Sequence, residues 1–251
     1  MKHFLKSRVA VLASTLALAV LLIASTPRKA RATNDNAAGV LSAVWWIWFY
    51  SIPVVDNPAF DATGANAFSN QPFNDLMFLA GTASSFVVND NVFGTAERTI
   101  NVSRGTAFFF PLITSEWDNV VFDAGGPGIA KVVKGKNALT VPQLRANAAA
   151  QMDAAIGLFC TLTPKGKKAQ NVPFDRLQSP VFPYYLPPGN TYSAYGQQIT
   201  GIVTPAVSDG YWSFVPPLDK GTYTLRFGGS IPIDDKGHTF SLDITYHIKV
   251  K

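Results

Sequence analysis

The chain has 251 residues, 47% of them hydrophobic and 15% charged, which excludes a disordered chain and supplies enough apolar surface for a full core. Its 21 Lys and Arg outnumber its 16 Asp and Glu, but six of the basic residues (Lys2, Lys6, Arg8, Arg28, Lys29 and Arg31) and none of the acidic ones lie in residues 1–32. The other 219 residues hold 15 basic and 16 acidic side chains, a net of −1, so the clustered positive charge that nucleic-acid binding needs is missing.

Residues 1–32 have the order of a secretory signal. Lys2, His3, Lys6 and Arg8 precede an apolar run from Val9 to Ser25, and Ala30-Arg31-Ala32 fits the small-x-small pattern of a cleavage site. The expected product is a single domain over 33–251, periplasmic or extracellular, starting at Thr33. Cys160 is the only cysteine, so an exported chain of this kind depends on packing rather than on an internal disulfide.

The stretch "VWWIWFYSIP" follows. At 100° per residue Leu41, Trp45, Trp48, Phe49 and Ile52 share one side of a helix over 37–51, and Trp46 and Tyr50, four apart, flank it. Pro53 stops the helix. The aromatic rings occupy the middle of the apolar run rather than its ends, Pro53 shortens it, and Asp35 and Asp56 flank it. These features speak against a membrane span and for a helix packed on a sheet.

Residues 54–75 are rich in turn formers, among them Asn57-Pro58, Thr63-Gly64 and Gln71-Pro72. Short apolar or alternating strands come next, and "RTINVSRGTAFFFP" reads as a hairpin turning at Arg104-Gly105. Thr140-Val141-Pro142-Gln143 is a capping box opening a second helix over 141–158. At the end of the chain Phe240, Leu242, Ile244, Tyr246, Ile248 and Val250 alternate with polar residues, and Tyr223, Leu225 and Phe227 do the same. The fold class expected is mainly β: an antiparallel β-sandwich, jelly-roll or immunoglobulin-like, with two packed α-helices.

Several stretches together carry a resemblance: "WWIWFYSIPVVDNPAFDATG", "FLAGT", "RTINVSRGTAFFFPLI", "LQSPVFPYYLPP", "SDGYWSFVPPLDKGTYTLRFGG" and "DITYHIKV". In this order they resemble a family of secreted bacterial proteins to which no activity is attached. The matching positions are Trp45, Trp46, Trp48, Asn57, Pro58, Asp61, Thr63, Gly64, Gly210, Tyr211, Trp212 and Gly221 to Thr224. The resemblance implies export and one continuous domain, and it brings no reaction with it.

The chemistry is sparse. Beyond residue 32 only His238, His247 and Cys160 could act as soft metal ligands, too few for a zinc site. Asp56, Asn57, Asp61 and Asn66 offer oxygen ligands in one loop, a place for Ca²⁺ without EF-hand spacing. No Gly-x-Ser-x-Gly occurs. Glu116 and Asp118 flank Trp117, and Glu97 and Glu116 are the only glutamates. Carboxylates beside an aromatic ring suit sugar stacking with acid–base chemistry. Tyr184, Tyr185 and Tyr192 sit in a Pro- and Gly-rich stretch and offer broad faces with polar tips. The leading expectation is a non-enzymatic binding or envelope-associated module for a glycan or envelope component, contacting it through Asp61, Trp117, Tyr184, Tyr185 and Tyr192, with no cofactor. The alternative is a secreted carbohydrate-active enzyme using Glu116 with Asp118.

Overall fold

A computed structural model describes residues 31–122 and 128–251. The export-signal expectation falls largely on residues 1–30, outside the described residues; Arg31 and Ala32 open the first helix, α1 (Arg31–Tyr50). Among the described residues no helix is long and apolar enough to cross a membrane.

The protein is mainly β, with two large sheets packed together and two helices beside them. The first sheet runs β1 (Leu76–Phe78), β4 (Ala107–Trp117), β13 (Gly201–Val215) and β10 (Phe174–Gln178), and β11 (Phe182–Leu186) also pairs with β13. The second runs β2 (Phe86–Val88), β3 (Asn91–Val102), β15 (Thr239–Val250), β14 (Gly221–Pro232), β8 (Ile156–Pro164) and β9 (Gln170–Asn171). Two small pairs complete the strands: β5 (Val120–Val121) with β7 (Lys131–Val132), and β6 (Gly128–Ile129) with β12 (Gln197–Gln198).

The sequence pattern explains which strand joins which sheet. Residues 107–113 of β4 are buried without a break. A continuous apolar run of this kind needs cover on both faces. Phe108, Phe110 and Leu112 meet Phe227, Ile244, Tyr246 and Ile248 between the sheets. Phe109 turns the other way and joins Leu41, Trp45, Trp48, Phe78 and Trp212 beneath α1. From Ala96 on, β3 alternates buried and exposed, and β15 from Ile244 on does the same more weakly; the second sheet accordingly has one wetter face.

Three sequence-based expectations are corrected here. Residues 98–111 are not a hairpin: β3 pairs with β2 and β15, whereas β4 pairs with β1 and β13. The turn through Gly105 (φ 90°) carries the chain from one sheet to the other. The doubly buried β4 could not lie beside β3 in a sheet with a wet face. The second helix, α2 (Val141–Asp153), stops five residues short of 158. Its capping box is present, but Gly157 adopts φ 62° and residues 156–164 form β8, where Cys160 sits opposite Phe227. The sheets are mixed rather than purely antiparallel, since β1–β4 and β3–β15 are parallel pairs. The hairpin of β14 and β15 is as expected, in register from Gly221–Val250 to Pro232–Thr239.

α1 lies on the outer face of the first sheet. Trp45 and Trp48 are buried, and their indole N–H groups donate to the carbonyls of Leu79 at 3.0 Å and Ser69 at 2.9 Å. Trp46 stacks on Tyr50 at 5.4 Å, along the flank the helical spacing predicts. α2 places Leu144, Ala148 and Met152 in the interior beside β13 and β4. The buried Asp209 nearby is held by Arg176 through two bonds of 2.9 Å and by Gln178 at 2.9 Å.

Candidate functional site

The end of β4 lies beside the C-terminus of α1. The register sets Glu116 opposite Ser208 of β13. Tyr50, the last residue of α1, reaches across, and its hydroxyl donates to Glu116 Oε2 at 2.8 Å. Period-two alternation along β11 buries Phe182, Tyr184 and Leu186 and turns Pro183 and Tyr185 outward. Tyr184 thereby faces Asp118 and donates a short hydrogen bond to Oδ2. Tyr192 comes from a 3-10 turn over residues 191–195, fixed at its start by Asn190, which accepts from the Tyr192 N–H at 3.0 Å. The turn closes on Gly196 at φ 72°, a left-handed position suited to glycine.

These elements bring three phenols and two carboxyls together. Tyr50 stacks on Tyr184 at 4.2 Å and lies nearly parallel to Tyr192 at 5.9 Å. The Tyr184 and Tyr192 hydroxyls are 3.1 Å apart, and Tyr192 donates to Asp118 Oδ2 at 3.4 Å. Asp118 Oδ1 accepts from the Val120 N–H at 2.6 Å. Glu116 Oε1 is different: it is buried and has no partner among the described residues.

Tyr50, Glu116, Asp118 and Tyr192 lie in the wall of a cleft of about 610 Å³, with Tyr184 buried behind them, a volume within the range of small-molecule sites. Trp46, Phe49, Tyr50, Phe60, Trp117, Phe122, Tyr192 and Tyr195 supply aromatic surface, and among the described residues no Lys, Arg or His lines it. Phe122 and Tyr195 are exposed at 54% and 60%, an apolar rim open to solvent. Burial pushes the Glu116 carboxyl well above the usual range, and the charge of Asp118 adds to this against the Tyr50 hydrogen bond. Burial also raises Asp118, although Tyr184, the Val120 N–H and Tyr192 favour its anion. The phenols of Tyr50, Tyr184 and Tyr192 are held protonated, by burial first and then by the neighbouring carboxylates. The arrangement can donate a proton from Glu116, accept hydrogen bonds at Asp118 and stack a flat ligand face.

The sequence-nominated residues therefore divide. Glu116, Asp118, Tyr184 and Tyr192 form one constellation, and Trp117 lines the same cleft while its N–H donates to Ser115 Oγ at 3.0 Å. Tyr185, half exposed, points away from it. Asp61 is engaged elsewhere. Its Oδ1 accepts from the Thr63 N–H and hydroxyl, and its Oδ2 from the N–H groups of Gly64 and Asn66. Slight burial opposes ionisation, but these bonds win and hold its carboxyl below the usual range. Of the proposed Ca²⁺ ligands, the Asn57 side chain donates to Phe49 and Ile52 carbonyls and caps the turn at Ala59, and Asn66 donates to Val55. Among the described residues no group of three or more His, Cys, Asp or Glu is placed to hold a metal.

Sequence reasoning missed two things. It assigned Trp46 and Tyr50 to the margin of a packed helix, where they also line the cleft; their i, i+4 spacing at the helix end was the available signal. It also passed over Arg98, which is fully buried. Its guanidinium donates to the carbonyls of Asp61 at 2.7 Å, Ala80 at 2.8 Å and Gly81 at 2.9 Å and to the Tyr246 hydroxyl at 3.0 Å, tying the 54–75 loop to the second sheet. Comparison with protein families, with curated proteins and with solved structures gives no match, so the resemblance to a secreted bacterial family rests on the sequence motifs alone.

Proposed function

We propose that the protein is an exported, non-enzymatic binding module that holds a glycan in the cleft above Glu116 and Asp118. The observation that carries this reading is the convergence of α1, β4, β11 and the 191–195 turn on two buried carboxyls inside an aromatic-walled cleft. A sugar ring has a flat apolar face and a rim of hydroxyls. The exposed rings of Phe122 and Tyr195 suit the face, and the carboxyl and phenol oxygens suit the rim. The test is a glycan array probed with the purified protein and two variants. Tyr195→Ala is expected to weaken binding by at least ~10-fold, equivalent to about 1.4 kcal/mol, and Tyr185→Ala is expected to leave it unchanged. Loss with Tyr185→Ala but not with Tyr195→Ala would move the site to the other side of β11.

The unpartnered Glu116 Oε1 favours a second reading, in which the protonated carboxyl acts as general acid in glycoside cleavage with Asp118 as partner. Turnover that falls by ~10²-fold in Glu116→Gln would support it; absence of any turnover on bound glycans would leave the binding module.

A further inference from the structure

We infer that the cleft selects a ligand carrying a primary ammonium group, so that a sugar held there is an amino sugar rather than a neutral one. The inference rests on the cleft being the ligand site and specifies what it takes.

Among the described residues, two carboxyls share the cleft and no lining residue is basic. Buried carboxylates are ordinarily compensated by a cation, as Asp209 is by Arg176 in the same protein at 2.9 Å. Among the described residues Glu116 and Asp118 receive only neutral donors: three phenols and one backbone N–H. The hydrogen-bond count then narrows the ligand. Every other carboxyl oxygen of the pair has a donor, whereas Glu116 Oε1 is buried with none among the described residues. In the carboxylate form this oxygen is an acceptor without a donor, and it calls for an N–H or O–H from the ligand. Between these, an ammonium also supplies the positive charge that the carboxylate form needs. A quaternary ammonium would bring charge without a hydrogen, so both needs are met by a protonated amine, and the protonated amine that a sugar ring carries is a primary one. The walls agree: Trp46, Phe49, Phe60, Trp117, Phe122, Tyr192 and Tyr195 present aromatic surface, whose ring faces attract cations.

Proton linkage follows. Facing the pair are Tyr50 from α1, Tyr184 from β11 and Tyr192 from the 191–195 turn, all held neutral. Burial favours the protonated form of both free carboxyls, and an arriving ammonium favours the carboxylate. Binding therefore releases protons, and affinity rises with pH as long as the amine stays charged.

The experiment is titration calorimetry of the purified protein with a glucosamine oligosaccharide and with its N-acetylated counterpart, at about pH 6.5 in two buffers of different ionisation enthalpy. The two sugars share the ring and differ in the charge. The expected result is at least ~10-fold tighter binding of the amine, with an apparent enthalpy that changes with the buffer because protons leave the site. Equal affinity for the two sugars, or tighter binding of the N-acetylated one, overturns the inference and leaves the cleft a glycan site. Failure of both to bind, with no hit on the array, removes the glycan reading and the inference together. The comparison needs no variant. Glu116→Gln adds a check within the site: if fluorescence shows it folded, it should lose the preference for the amine and part of the proton release.

Discussion

The buried Glu116 carboxyl gives stability a pH dependence whose sign can be worked out. Its ordinary value is 4.5, and burial raises it in the folded state. Above the ordinary value the unfolded chain has lost this proton while the folded chain keeps it. Stability is therefore fully present below about pH 4.5 and is lost as pH rises through the folded value. A single group of this kind contributes a slope of about −1.4 kcal/mol per pH unit within that window. Asp118, ordinarily 3.8 and also raised, adds a loss of the same sign. Replacing Glu116 with Gln retains an acceptor for the Tyr50 hydroxyl and removes the titration. In urea melts at half-unit intervals from pH 4.5 to 8, the wild type should lose stability with pH, and Glu116→Gln should lose less and be the more stable form at the alkaline end. Asp61 does not imitate this effect. Its folded value is lowered, so its contribution is present above 3.8 and is lost as pH falls through the folded value, outside the window. Identical pH slopes for wild type and Glu116→Gln would refute the burial of this carboxyl.

Two further substitutions test how the cleft is held. Arg98→Met removes the donor to three carbonyls and a phenol in the interior; a loss of about 3–5 kcal/mol in urea titration is expected, from several buried acceptors left without a donor at about 1–3 kcal/mol each, and a loss under 1 kcal/mol would contradict its role as the tie between loop and sheet. Trp45→Ala should cost about 3–5 kcal/mol, because the ring packs on Trp48, Phe49 and Trp212 and its N–H serves the Leu79 carbonyl; native tryptophan emission that iodide quenches strongly would instead place these rings on the surface.

Features that repeat with a local period are legible in the chain alone. The alternation through Phe240 to Val250 gave the last strand, because the pleat sends successive side chains to opposite sides, and its face is buried from Ile244 on, while Phe240 and Leu242 stay partly exposed. The spacing of Leu41, Trp45, Trp48 and Ile52 gave the buried side of α1, and Trp46 with Tyr50 its flank. Thr140 and Gln143 gave the start of α2 through their reciprocal bonds. Glu116, Asp118, Tyr184 and Tyr192 were legible as candidates from residue type and setting. Tertiary structure alone decided the rest. An apolar run such as "AFFFPLI" states that both faces of β4 are covered, and it cannot name the neighbours; only the folded sheets separate it from β3 across Gly105. The run 156–158 continued a helical pattern until pairing with β14 claimed it for a strand. Tyr50 and Glu116 are 66 residues apart, and Tyr192 and Asp118 are 74. No local period spans such distances. The two carboxyls came to share one cleft with Tyr50 and Tyr192, backed by Tyr184, because α1, β4, β11 and the 191–195 turn meet at one end of the first sheet.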